Sequence, residues 1–232
     1  ATNSNTIGHT RFETTNNAVF SSISTLSGVA VKLSGIDGYP NGYEFQKLDT
    51  EAFKKDGYKA VAEMMNGVSD KTGIKVKVNN TQIFSDAVSA GTVQGLAING
   101  VMIGNIKMQA NDADNALIGA INAKKDETGV EASLDNGRLV LAAKDGRAIR
   151  IGAFSESAKY LGAGQNLSGA SAASGQALAS AGVVFLGQIT FVRQDARDIK
   201  VGLDGLSIVS GLSCANFTNN VSASNSYNQA SV

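Results

Sequence analysis

The chain has 232 residues, room for one large or two small domains, with 20 basic and 20 acidic side chains, one His, one Cys and no Trp. Zero net charge leaves no electrostatic footprint for nucleic acid or an anionic membrane surface. One His and one Cys make neither a zinc site of nitrogen and sulfur ligands nor a disulfide framework, and a triad would hang on His9 and Cys214, far apart in the sequence.

The start, ATNSNTIG, lacks the basic-then-apolar profile of a secretory signal. Val183-Val184-Phe185-Leu186 is among the longest apolar runs, well short of the roughly 20 residues that cross a bilayer. The chain is therefore expected to be cytosolic, exported without a cleaved signal, or cut from a longer one. The Ser/Asn-rich ends, Ala1–Asn5 and Cys214–Val232, favour a fragment.

Along the chain, strands are expected at His9–Glu13, Val29–Leu33 and Tyr43–Leu48. A helix follows, with Ala60/Val61, Met64/Met65 and Val68 on one face, then a strand at Ile74–Val78. Leu96–Ile103 (LAINGVMI) reads as a hairpin turning at Asn99-Gly100, pairing Ile98 with Val101 and Leu96 with Ile103. Asp112 and Asp114 stand where carboxylates cap the free amides of a second helix, whose stripe is Ala116/Leu117 and Ala120/Ile121. A hairpin at Asn136-Gly137 pairs Leu134 with Leu139 and Ala132 with Leu141.

At Lys144-Asp145-Gly146 a three-residue loop with Gly146 left-handed is expected to pair Leu141 with Ile149 and Leu139 with Ile151. That register keeps Arg150 off the apolar face. Gly162–Gly182 is Gly, Ala and Ser for the most part and cannot order itself alone. Gly187–Arg193 and Ile199–Leu203 alternate as a closing hairpin about Gln194–Asp198, with Arg193, Arg197 and Lys200 on a wet edge.

Residues 60–76 (AVAEMMNGVSDKTGIKV) and 116–132 (ALIGAINAKKDETGVEA) align without a gap at an offset of 56. Asn66 meets Asn122, Asp70 meets Asp126, and Thr72-Gly73 meets Thr128-Gly129. Gly73 and Gly129 suit the left-handed residue that closes a helix. The expected fold is α+β and mostly β: antiparallel hairpins and meanders with two short helices in duplicated strand–helix–strand units. Its divisions are a polar tail (1–8), a first subdomain with a degenerate repeat (9–94), a second repeat subdomain (95–154), a flexible loop (155–182), a closing hairpin (183–213) and a polar tail (214–232).

Motifs for chemistry have plainer readings. His9 alternates with Arg11 and Glu13 on a solvated strand. Asn111–Asn115 (NDADN) lacks the Gly and Glu of a calcium loop and reads as a cap. Gly162-x-Gly164 meets Leu167 where a dinucleotide fingerprint wants Gly. No catalytic residue, metal or cofactor is expected.

Ile98-Asn99-Gly100, Asn111-Asp112, Ile121-Asn122, Thr128-Gly129-Val130, Gly137-Arg138-Leu139 and Asp145-Gly146-Arg147 together resemble the flagellin IN repeat. His9–Thr14 and GQITFVRQDARDIKVG also resemble outer segments of flagellins from Campylobacter-like and Helicobacter-like bacteria. The likeness is closest over 95–151, weaker over 7–94 and 185–213, and absent over 155–182. The terminal helical segments that polymerise flagellin are missing, and Cys214 departs from a cysteine-poor family; it reads as a small buried apolar residue.

The resemblance implies a structural, non-enzymatic subunit of the extracellular flagellar filament, exported without a cleaved signal. This chain would form its solvent-exposed central region, and subunits would join through terminal helices absent here, leaving this fragment monomeric. Neither nucleic acid nor membrane is implied as a partner. Asn79, Asn166, Asn216 and Asn220 head Asn-x-Ser/Thr sequons, but none has the upstream acid that N-linked transfer in the resembled group wants. O-linked sugars of the nonulosonic acid type are implied instead, with Ser171, Ser174, Ser180, Ser222, Ser224 and Ser226 as candidates. A filament cap or hook-associated protein, which carries the same repeat, is the alternative, and an adhesin module a more distant one.

Overall fold

The structure is a computed structural model and describes residues 10–13, 19–20, 30–162, 171–172, 183–193 and 200–204. Short strands β1 (Thr10–Glu13), β2 (Val19–Phe20), β3 (Ala30–Ser34) and β4 (Tyr43–Glu44) come first. Helices α1 (Thr50–Asp56), α2 (Tyr58–Asn66) and α3 (Ser69–Thr72) lead into the long strand β5 (Ile74–Ala87). The hairpin β6 (Gly91–Ile98) and β7 (Val101–Met108) precedes α4 (Ala116–Ala123) and α5 (Lys125–Thr128). Then come β8 (Glu131–Asp135), β9 (Arg138–Ala143), β10 (Ile149–Phe154), β11 (Ser171–Ala172), β12 (Val183–Phe185), β13 (Gln188–Arg193) and β14 (Lys200–Asp204).

One sheet runs β1-β13-β5-β9-β8, a second β2-β12-β10-β6-β7 with β11 also on β10, and a third β14-β3-β4. All these pairings are antiparallel except β10 with β11. The mostly-β, antiparallel α+β architecture is the one the pattern predicts.

Two apolar cores result. The first gathers Phe53, Tyr58, Val61 and Met65 of α1 and α2 with Val31, Ile74, Val76, Val184 and Phe191. The second sets Leu117 and Ile121 of α4 against Leu96, Ile98, Leu139, Leu141, Ile149, Ile151 and Phe185. Each fully buried Leu or Ile contributes about 1.5–3 kcal/mol, so both short helices persist by packing rather than by propensity. Strand β5 supplies both cores: Ile74 and Val76 reach the first, Phe84 the second. Between them, on the same inward alternation, lie buried Asn80 and Gln82. The Asn80 amide donates to the carbonyls of Arg147 (2.7 Å) and Phe185 (2.9 Å), and Gln82 donates to Asn80 Oδ1 (2.9 Å), so the seam is polar but satisfied.

Several pairings differ from expectation. The hairpin at Asn136-Gly137 has the expected register, with both turn residues at positive φ. At Asn99-Gly100, Ile98 faces Val101 as expected, but a bulge sets Leu96 opposite Gly104 instead of Ile103. The distortion centres on Gly95, at φ +58, where the Phe154 ring occupies the place of a side chain and the backbone N–H turns to Asn105 Oδ1 (2.7 Å). Gly146 is left-handed and its N–H donates to the Ala143 carbonyl (2.9 Å), yet β9 and β10 do not pair. Strand β9 joins β5 and β8, while β10 joins β6, β11 and β12. Leu139, Leu141, Ile149 and Ile151 are buried in one core all the same, stacked between sheets rather than side by side.

The closing hairpin is also corrected. Strand β13 inserts between β1 and β5, and β14 pairs with β3; the turn expected at Gln194–Asp198 lies outside the described residues. Arg193 is only 2% exposed and donates to the Gly35 carbonyl (3.1 Å), which places it inside the fold and not on a wet edge. Of Tyr43–Leu48 only Tyr43–Glu44 is strand, although the Phe45 N–H still reaches the Val31 carbonyl (3.0 Å). Residues 155–161, grouped in the sequence with the Gly/Ala/Ser loop, form a 3-10 helix that buries Ala158 and Leu161, spaced by its three-residue period.

Candidate functional site

The motif residues of the second repeat converge, and they bind one another. Asn99, at the tip of β6–β7, donates its amide to the Thr128 carbonyl (2.8 Å) and accepts the Arg150 N–H on Oδ1 (2.8 Å). Asn122 donates to the Ala132 carbonyl (2.9 Å) and accepts the Ala132 N–H (2.7 Å), fastening α4 to β8. The buried Thr128 hydroxyl accepts the Val130 N–H (3.1 Å), and Gly129, at φ +71, ends α5. A Cβ on Gly129 would lie 2.5 Å from the guanidinium carbon of Arg147, so the Thr-Gly-Val and Asp-Gly-Arg signatures are in contact.

Asp112 acts as the sequence predicts. Fully buried, its carboxylate accepts the N–H groups of Leu117 (2.8 Å) and Ile118 (3.0 Å) at the start of α4. Asp114 lies 3.5 Å from the Ala116 nitrogen. NDADN is a cap.

Charge gathers at the turn after β9. Asp145 accepts from Arg147 Nε (2.8 Å), from the Arg147 backbone N–H (3.2 Å) and from Lys59 of α2 (3.3 Å). Burial on its own would raise the Asp145 carboxyl, but these hydrogen bonds and the Arg147 charge outweigh it and hold the carboxyl at about 2. Arg147 is raised in turn, chiefly by its hydrogen bond to Asp145. The cluster ties the first repeat's helix to the second repeat's turn. Glu44, exposed, and Glu131, half-buried, are lowered by hydrogen bonds from Lys32 and Lys144.

No group of three or more His, Cys, Asp or Glu able to hold a metal ion occurs among the described residues. No described helix is long and apolar enough to cross a membrane. Of the sugar-acceptor candidates, Ser171 has its backbone in β11, paired with Ala153. Ser174, Ser180, Ser222, Ser224 and Ser226 lie outside the described residues, as do His9, Arg197 and Cys214. Among the sequons, Asn79 is exposed on β5 and accepts a hydrogen bond from Thr81 Oγ1 (3.3 Å). Asn80, Gln82 and Arg193 are structural residues that sequence reasoning missed.

The family described as the Flagellin hook IN motif matches residues 95–145, the segment whose signature residues interlock. Flagellin B of Helicobacter pylori is 36% identical over 208 residues, which is 87% of this chain. Flagellin A of Helicobacter felis is 37% identical over 181 residues, 76% of the chain. The chain belongs to the flagellins of the Helicobacter type. It spans 38% of the length of that flagellin B and 34% of that flagellin A. Among solved structures, a flagellar cap protein of Helicobacter pylori covers 83% of this chain, and the chain covers 62% of it, at 18% identity. Its TM-score of 0.32 carries no argument for either flagellar part. In this flagellin the IN signature is thus a set of mutual locks between two sheets and a helix.

Proposed function

We propose that this chain is the solvent-facing portion of a structural subunit of the flagellar filament. The observation that carries the reading is the identity to Helicobacter flagellins over 87% of the chain, with the motif residues engaged in holding the fold together. Subunits join through terminal helices outside this chain, and export needs no cleaved signal. The task is to fold compactly and withstand shear, with no bond made or broken in a substrate. The repeat helices α2 and α4 each sit on a core of their own, while β5 feeds both cores and β6 crosses the expected division at 94/95.

Fab fragments raised against residues 95–145 and imaged on intact flagella test the reading. Decoration along the whole filament supports it; decoration confined to the tip or the hook junction transfers the chain to the cap or hook-associated alternative. The isolated chain runs as a monomer in size-exclusion chromatography, and spontaneous filaments from it contradict the assignment.

The surface also carries O-linked sugars on Ser171, Ser174, Ser180, Ser222, Ser224 or Ser226. Support comes from the hydroxyl-rich composition of the stretches around them. Intact mass of protein drawn from native filaments decides, and an unmodified mass removes this part.

A further inference from the structure

We infer that Asn136 is a site of spontaneous amide chemistry, the one Asn-Gly bond among the four described that the native fold leaves reactive. In such a bond the glycine nitrogen attacks the asparagine Cγ. An N–Cγ bond forms, the Cγ–Nδ2 bond breaks, and the proton from the glycine nitrogen leaves with the amide as ammonia. Water then opens the resulting succinimide at either carbonyl, giving aspartate or isoaspartate. The step needs a glycine N–H free to attack and a side-chain amide free to turn toward it.

The chain has Asn-Gly at 41–42, 66–67, 99–100 and 136–137. At the first, the attacking group is engaged: the Gly42 N–H donates to the Tyr39 carbonyl (2.9 Å). At the second, the Gly67 N–H donates to the Glu63 carbonyl (3.1 Å), and the Asn66 amide is held at both ends by Val76 (2.8 Å each). At the third, the Asn99 amide is held at both ends by Thr128 and Arg150, and its backbone N–H by the Arg150 carbonyl (2.8 Å).

Asn136 differs on each count. Its amide reaches only the neighbouring Asp135 carboxylate (3.1 Å), at an exposed turn. No backbone hydrogen bond among the described residues engages the Gly137 N–H. The turn joins β9 to β8, the outermost strand of its sheet, and its other side meets the end of β5, where Ala87 pairs with Arg138. Asp135 Oδ1 sits beside the departing nitrogen. The product puts a second carboxylate next to Asp135 and Arg138. In the isoaspartate form it also adds a backbone atom to a turn whose Gly137 carbonyl accepts the Val88 N–H (2.8 Å). The β8–β9 hairpin therefore loosens with the age of the protein.

The full purified chain, held for weeks at neutral pH and body temperature, is sampled by peptide mass mapping and by enzymatic methylation of isoaspartate. A parallel sample is kept in denaturant. In the native sample conversion at Asn136 outpaces that at Asn99 by about tenfold or more, since two extra hydrogen bonds must break there. In denaturant the four sites react at similar rates, and an Asn136→Ser variant loses the native signal. Equal or faster native conversion at Asn41, Asn66 or Asn99 overturns the assignment, as does an inert Asn136 in a native sample whose denatured counterpart reacts.

Discussion

Asn122 and Ala132 are joined as a strand pair is joined, except that one partner is a side chain: the amide gives to the carbonyl (2.9 Å) and takes from the N–H (2.7 Å). Asn66 repeats this with Val76, at 2.8 Å in both directions. Around each pair the same parts recur: a Thr hydroxyl accepting the N–H two residues on, and a left-handed Gly closing the helix. The duplication seen as aligned letters is a duplication of hydrogen bonds.

Replacing Asn122 by Ala leaves two backbone groups of β8 without partners, at a cost of about 2–3 kcal/mol. Asp at 122 is no better, because a carboxylate then faces the Ala132 carbonyl. Urea unfolding checks this: a lower midpoint with unchanged slope is expected for both variants, and a wild-type midpoint for Asn122→Ala contradicts the lock.

What the sequence made legible is local. Helix stripes, their glycine ends, the Asp112 cap and both Asn-Gly hairpin tips are set by residues a few positions apart, and they stand where expected. Partners across the fold are another matter. Alternation says that Leu139 and Ile151 face a core, but pairing them in one sheet or stacking them between two buries them equally well. Asn80 and Gln82 lie beyond the strand expected at Ile74–Val78, and their polarity gives no sign of burial: Asn80 is satisfied by carbonyls far away in sequence, at Arg147 and Phe185, and Gln82 donates to Asn80. Arg193 misleads for the same reason: its Gly35 partner is 158 positions away. The interlocking site was visible as a motif, and its geometry was not.

Asp112→Ala removes both hydrogen bonds at the start of α4 and empties a buried site. A helix-cap loss of about 1–2 kcal/mol is expected, toward the upper end because Asp112 is fully buried. Asp114→Ala, whose contact is 3.5 Å long and exposed, should cost about 0.5 kcal/mol or less. Thermal melts of the two variants separate them; equal losses would mean that Asp114 shares the capping.

Acid should act through Asp145. Its folded pKa of about 2 lies below the ordinary 3.8, so the carboxylate contributes stability that is complete above about pH 4 and is lost as pH falls toward 2. With a third of the side chain exposed, solvent screening trims the contribution to about 1 kcal/mol. Asp145→Asn is therefore expected to lower stability at neutral pH and to flatten the decline between pH 4 and 2. Glu44 and Glu131 titrate alike in both proteins, so the difference between the two curves belongs to Asp145. Parallel curves in urea titrations would show that Asp145 plays no part in that decline.

Gly73 and Gly129 occupy equivalent positions at nearly equal φ, +70 and +71, but their surroundings differ. Nothing lies within 4 Å of a Cβ built on Gly73, so Gly73→Ala meets only the left-handed backbone penalty of about 1–2 kcal/mol. On Gly129 the same methyl lands 2.5 Å from the Arg147 guanidinium carbon. That side chain can swing away, but only by leaving Asp145, so Gly129→Ala should cost about 1 kcal/mol more than Gly73→Ala. The excess should vanish when Asp145→Asn is already present, since the contact being broken is then gone. A double-mutant cycle measures this directly. An excess that survives Asp145→Asn would place the strain in the guanidinium's packing and not in its ion pair.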